Sequence, residues 1–155
     1  MANEKPYART TVTVGKSQGK IEVMIRKHGA VKSHFFKNFE SSELVFAWER
    51  KILVDDRPMV QPLMHRLSFE DLTEPQAYRA LFWHLKHKFE AVEFGIVTFE
   101  EEFLPYFVVK LPGGGTGTIA EYFIPELRRG ALPPMRVLDN PELPSSKDYD
   151  TVEGR

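Results

Sequence analysis

The segment Thr73 to Tyr106 constrains the fold more than any other part of the chain, because written as a helix it is apolar on two opposite faces. At about 100° per residue, Tyr78, Phe82, Leu85, Phe89, Val92 and Ile96 fall in one narrow stripe, while Ala80, Trp83, His87 and Phe94 gather on the far side. A helix lying on a core needs only the first stripe. The second predicts a helix that runs through the middle of the fold or one whose back meets a partner, with Trp83, His87 and Phe94 as the interface and Ala80 and Ala91 allowing close approach.

Local signals bound this helix and its neighbours. Thr73-Glu74-Pro75-Gln76 supplies a capping threonine, a glutamine that completes a capping box, and a proline in the first turn, where its missing N–H costs nothing. Gly95, after Phe94, is the expected stop. Thr98 with Glu101 repeats the box ahead of a short helix Phe99 to Leu104, which Pro105 limits. Thr118 with Glu121 forms a third box before a helix from Ile119 to Arg129, ended by Gly130 and Pro133-Pro134.

Upstream, Thr10 to Val14 alternates like a short strand, and Ser17 is placed to cap a helix reaching His28, with Ile21, Met24, Ile25 and His28 on one face and Gly29 as its stop. The period then changes. Val31 to Phe39, Leu44 to about Trp48, and Met59 to Met64 read as strands separated by Glu40-Ser41-Ser42-Glu43 and by the turn signal Asp55-Asp56-Arg57-Pro58. Short spacings favour an antiparallel meander. Phe107 to Leu111 adds a strand before the glycine run of Gly113 to Gly117, which reads as a turn. The expected fold is therefore α+β: a small, mainly antiparallel sheet packed on a long central helix, with short C-terminal helices.

A chain of 155 residues that is 42% hydrophobic has the apolar content for one core. The expectation is a single domain over residues 9–135, between a flexible N-terminus of residues 1–8 and a disordered tail of residues 136–155, where Pro, Ser and Asp accumulate without periodicity. With no cysteine, disulfides, thiolate metal sites and cysteine nucleophiles are all excluded. No apolar run approaches the ~20 residues of a membrane span, and Met1 to Thr10 lacks a signal-peptide core, so a cytoplasmic protein without membrane partners is expected. The net charge is only −1. It is unevenly spread: residues 1–37 hold eight Lys and Arg against two Glu, while Glu90, Glu93 and Glu100-Glu101-Glu102 form an acidic block further on. The glutamate run sits at a helix start, where the macrodipole favours negative charge.

Candidate chemistry is sparse. Gly15-Lys16-Ser17 invites a phosphate-loop reading, but that pattern needs a glycine five residues before Gly15, where Thr10 stands. His84 and His87 have a metal-compatible spacing, yet their helical phases diverge and no third ligand converges, so no metal or cofactor is expected. Glu49-Arg50-Lys51 at a strand invites a metal-dependent nuclease, with Glu49 on Mg²⁺ and Lys51 steadying a water. The acidic partner such a site needs on the preceding strand is missing. The strongest electrostatic feature is on the first helix, where Lys16, Lys20 and Lys27 fall within about 40° of one another by helical phase, a rail that can follow a phosphate backbone.

The order of certain residues resembles a family of small, functionally uncharacterised proteins of tailed phages and prophages. The carriers are Thr11-Val12-Thr13-Val14 with Lys16-Ser17 and Ile21-Glu22, then Arg26-Lys27-His28-Gly29-Ala30, Lys86 through Glu93, Gly95-Ile96-Val97-Thr98-Phe99-Glu100-Glu101-Glu102-Phe103-Leu104, and Pro133-Pro134-Met135. The likeness spans roughly residues 7–135 and departs at Pro112 to Gly117, where the family favours an Asp-Gly turn. It implies a mobile-element gene expressed in a bacterial cytoplasm and no catalytic residues to transfer. The expected function is then a non-catalytic accessory protein of DNA metabolism. It would bind protein or self-associate through Trp83, His87 and Phe94, and meet nucleic acid through Lys16, Lys20 and Lys27. The alternatives are the nuclease using Glu49 and Lys51, and an inhibitor of a host factor.

Overall fold

A computed structural model describes residues 4–130 of the chain. The expectations for residues 1–3 and 131–155, among them the Pro133-Pro134 helix stop, the domain end at residue 135 and the tail of residues 136–155, lie outside the described residues. The first helix, α1, spans Val14–Lys27, and three strands follow as β1 Ala30–Asn38, β2 Glu43–Val54 and β3 Arg57–Ser68. Then come α2 Glu74–Glu93, the short α3 Phe99–Phe103 with a 3₁₀ turn at Leu104–Tyr106, the paired strands β4 Val108–Lys110 and β5 Thr116–Thr118, and α4 Ile119–Arg128. The chain divides into two compact units, with the boundary between Tyr122 and Phe123. The architecture of the first unit is α+β with antiparallel sheets, one of three strands in the order β1-β2-β3 and one of two.

The sheet's inner face follows from alternation along each strand. Register places Phe46 between Phe35 and His65, with Leu44 and Trp48 on the same side of β2 and Leu63 on the same side of β3. These side chains pack against Ile21 and Ile25 of α1 and against Tyr78, Leu81, Leu85 and Phe89 of α2. The core is rich in aromatics. Trp48 meets Phe99 and Phe103 edge-on, at centroid distances of 6.2 and 6.0 Å, the geometry that ring quadrupoles prefer.

Several local expectations shift. No strand forms over Thr10 to Val14; Thr13 caps α1 instead, its hydroxyl accepting from the Lys16 amide at 3.3 Å. The reason is that Ser17 lies one helical stripe with Ile21 and Ile25, at i, i+4 and i+8, so the core recruits its position and the helix must begin earlier. Strands β2 and β3 both outrun the predicted segments. Their pairing continues from Lys51↔Val60 to Val54↔Arg57, past the point where β1 ends, so this stretch is a two-stranded ribbon.

In α2 the capping box at Thr73 and Gln76 forms as expected, and Gly95 with φ +72° turns the chain away after Phe94. Its buried positions are Gln76, Ala77, Tyr78, Leu81, Leu85 and Phe89. Leu81, absent from the predicted stripe, is buried because the helix rests on the sheet and α1 together. Ile96, counted in that stripe, lies beyond the helix end and is 74% exposed. The boxes at Thr98/Glu101 and Thr118/Glu121 also form.

Candidate functional site

Helices α1 and α2 lie side by side on the inner face of the sheet and run in the same direction, as the neighbours Lys20 with Phe82 and Lys27 with Glu93 establish. Between them is a groove of about 720 Å³. Its floor is apolar, formed by Val23 and Met24 of α1 with Phe82 and Phe89 of α2, and Val23 is 62% exposed there. Gly15 and Gly19 leave the α1 backbone bare along one wall.

All three rail lysines border this groove, and α2 adds Lys86 from the opposite bank. At one end the charges are paired: the Lys27 ammonium lies 3.1 Å and the His28 Nε2 3.0 Å from the same Glu93 oxygen, and Lys86 lies 3.6 Å from Glu90. The hydrogen bond from Lys27 holds the Glu93 carboxyl below the usual carboxylate range. At the other end, among the described residues, Lys16 and Lys20 have no carboxylate within ion-pair distance.

The predicted aromatic interface adjoins the same groove through two residues the sequence reading did not assign to it. Phe82 meets Trp83 edge-on at 5.4 Å and has the Arg79 guanidinium at 4.9 Å and the Lys20 ammonium at 5.7 Å. Lys86 stands 4.7 Å from the Trp83 ring, and His87 lies 5.5 Å beyond it. Cation–π and ring–ring contacts thus run from the lysine rail across Phe82 to Trp83 and His87. Trp83 is half-buried, His87 is exposed, and Phe94, at the helix end, is 81% exposed. The signal that could have joined the two predicted sites is helical phase: Lys86 stands four residues after Phe82 and three after Trp83.

A second polar constellation lies inside the fold. The Trp48 indole N–H donates to His65 Nε2 at 3.1 Å, which places the His65 proton on Nδ1, a buried atom without a hydrogen-bond partner. His65 stacks on Tyr106 at 4.4 Å and meets the edge of His84 at 5.5 Å. Burial, with His84 and Lys88 adding positive charge nearby, lowers the His65 pKa to about 3; burial and Lys88 lower that of His84 to about 4. Both imidazoles are neutral at neutral pH. Lys88 is itself bound to Glu102 at 2.9 Å.

His84 and His87, whose spacing alone would suit a metal, are split by this arrangement, since His84 turns to His65 while His87 turns to Trp83. Glu49 is engaged by Lys32 across the strand pair at 3.6 Å, and Lys51 is exposed at the root of the ribbon. Arg50, between them, sits on the opposite face with its guanidinium 3.5 Å over Phe99, where burial lowers its pKa against the opposing pull of Glu100. Among the described residues no group of three or more His, Asp or Glu converges as a metal site, and no helix is long and apolar enough to cross a membrane. No protein-family model, curated protein or solved structure matches the chain.

Proposed function

We propose that the chain is a non-catalytic accessory protein of a phage or prophage that binds a macromolecular partner during DNA metabolism in the bacterial cytoplasm, and that the α1–α2 face is its binding surface. The phage setting rests on the sequence resemblance described above. The binding role rests on one observation: the lysine rail borders an exposed groove with an apolar floor, and two residues of that groove, Phe82 and Lys86, contact the Trp83 ring of the aromatic stripe. Apolar contact supplies affinity there, and the surrounding cations steer an anionic partner and fix its register.

Capture from bacterial lysate on the immobilised full chain tests this reading. The wild type is expected to retain a partner that a Lys16→Glu, Lys20→Glu, Lys27→Glu variant with an unchanged thermal transition fails to retain. Nuclease treatment of the lysate then separates the partner classes, because capture through nucleic acid is lost and direct protein capture persists. Equal capture by the wild type and the folded triple variant would remove the function from this face.

A further inference from the structure

Resting on the reading of the α1–α2 face as a binding surface, we infer that its groove takes an acidic amphipathic helix of a protein partner, laid antiparallel to α1 and α2. Three features of the groove select this occupant. The floor of exposed Val23 with half-buried Met24 and Phe82 offers burial to an apolar stripe, which an amphipathic helix carries and a phosphodiester chain does not. Bare backbone at Gly15 and Gly19 lets a third helix approach α1 closely; a β-carbon built at Gly19 meets no atom within 4 Å, so the space beside it is open.

Charge sets the orientation. Helix α1 presents its N-terminal, dipole-positive end at the end of the groove where Lys16 and Lys20 lack carboxylate partners among the described residues, while Glu90 and Glu93 neutralise the other end. A bound helix is therefore favoured with its own C-terminal, dipole-negative end and its acidic residues beside Lys16 and Lys20. From Gly15 to Lys27 the groove is about 18 Å long at the helical rise, enough for three turns of the partner. Apolar anchors at i, i+4, i+7 and i+11 match that length.

The probe is a labelled model peptide of about 14 residues, with leucines at those four positions and glutamates beside them near its C-terminus, titrated into the full chain by fluorescence anisotropy. Saturable binding is expected, with no binding by a peptide of the same composition in scrambled order. Gly19→Leu fills the groove at a position where leucine suits a helix, and is expected to abolish binding while leaving the thermal transition unchanged or raised; Val23→Glu provides an independent block at an exposed position. Lys16→Gln with Lys20→Gln is expected to weaken binding about tenfold and to reduce its salt dependence. Absence of saturable binding, equal binding of the scrambled peptide, or wild-type affinity in both groove variants would overturn the inference. So would a single-stranded oligonucleotide of equal charge that binds more tightly than the peptide, is indifferent to Gly19→Leu and loses affinity in the Lys16→Gln, Lys20→Gln variant. That last outcome would leave the α1–α2 face as the binding surface, which separates failure of this inference from failure of the broader reading.

Discussion

At the scale of single residues, a costly polar group in the fold is His65, 3% exposed, with one ring nitrogen satisfied by Trp48 and the other without a partner. The predicted strand ends at Met64 and leaves His65 out, although His65 alternates in phase with Leu63 and Leu67 on β3 and so shares their face. The indole that meets it was not legible. That contact depends on the register of β2 against β3, which no local pattern states. The lowered pKa values of His65 and His84 have a consequence for stability. In the unfolded chain both histidines bind protons below about pH 6.5, whereas in the fold they stay neutral until about pH 3 and about pH 4. Their contribution is fully present above pH 6.5 and is lost progressively as the pH falls through that window, by up to about 1.4 kcal/mol per pH unit for each group. Urea unfolding at pH 7, 5.5 and 4.5 should show a steep loss, and His84→Phe should make the curve shallower. A pH profile unaltered by that substitution would contradict the neutral, buried state assigned to His84.

At the scale of elements, helix starts were the most legible feature, because a capping box is chemistry contained in four consecutive residues. All three boxes form, whereas Ser17, read as a cap without a box, became a core position. Strand lengths were the least legible. The predicted β2 ends near Trp48, where the inward alternation of Leu44, Phe46 and Trp48 ends, because the ribbon beyond it has no core to impose a pattern. Leu53, at 73% exposure, shows how little of that ribbon is covered. Its turn places Asp55 and Asp56 at φ +50° and +61°, left-handed values that asparagine and glycine adopt more readily. Asp55→Asn with Asp56→Gly should raise stability by about 0.5–1 kcal/mol, measured by thermal denaturation. A fall in stability would mean that the aspartates make contributions the turn geometry does not account for. On β3, Pro58 and Pro62 remove two backbone donors from an edge strand, which blunts pairing with other chains.

At the scale of the whole molecule, both halves of the proposed binding face were legible, and their union was not. Helical phase alone grouped Lys16, Lys20 and Lys27, and helical phase alone grouped Trp83 and His87. Which helices become neighbours, and in which direction they run, is set by how the sheet seats α1 and α2 together, and only there do Phe82 and Lys86 link the two groups. The central claim is that these residues form one surface. Its most direct test is an NMR titration of the full chain with isotope-labelled dimethyl-lysines, using the acidic amphipathic peptide and a single-stranded oligonucleotide in turn. Whichever ligand binds should shift the Lys16, Lys20 and Lys86 signals together, while those of Lys51 on the ribbon and Lys110 on β4 stay in place. Shifts confined to Lys51 or Lys110, or no shift at the three groove lysines with either ligand, would contradict the account.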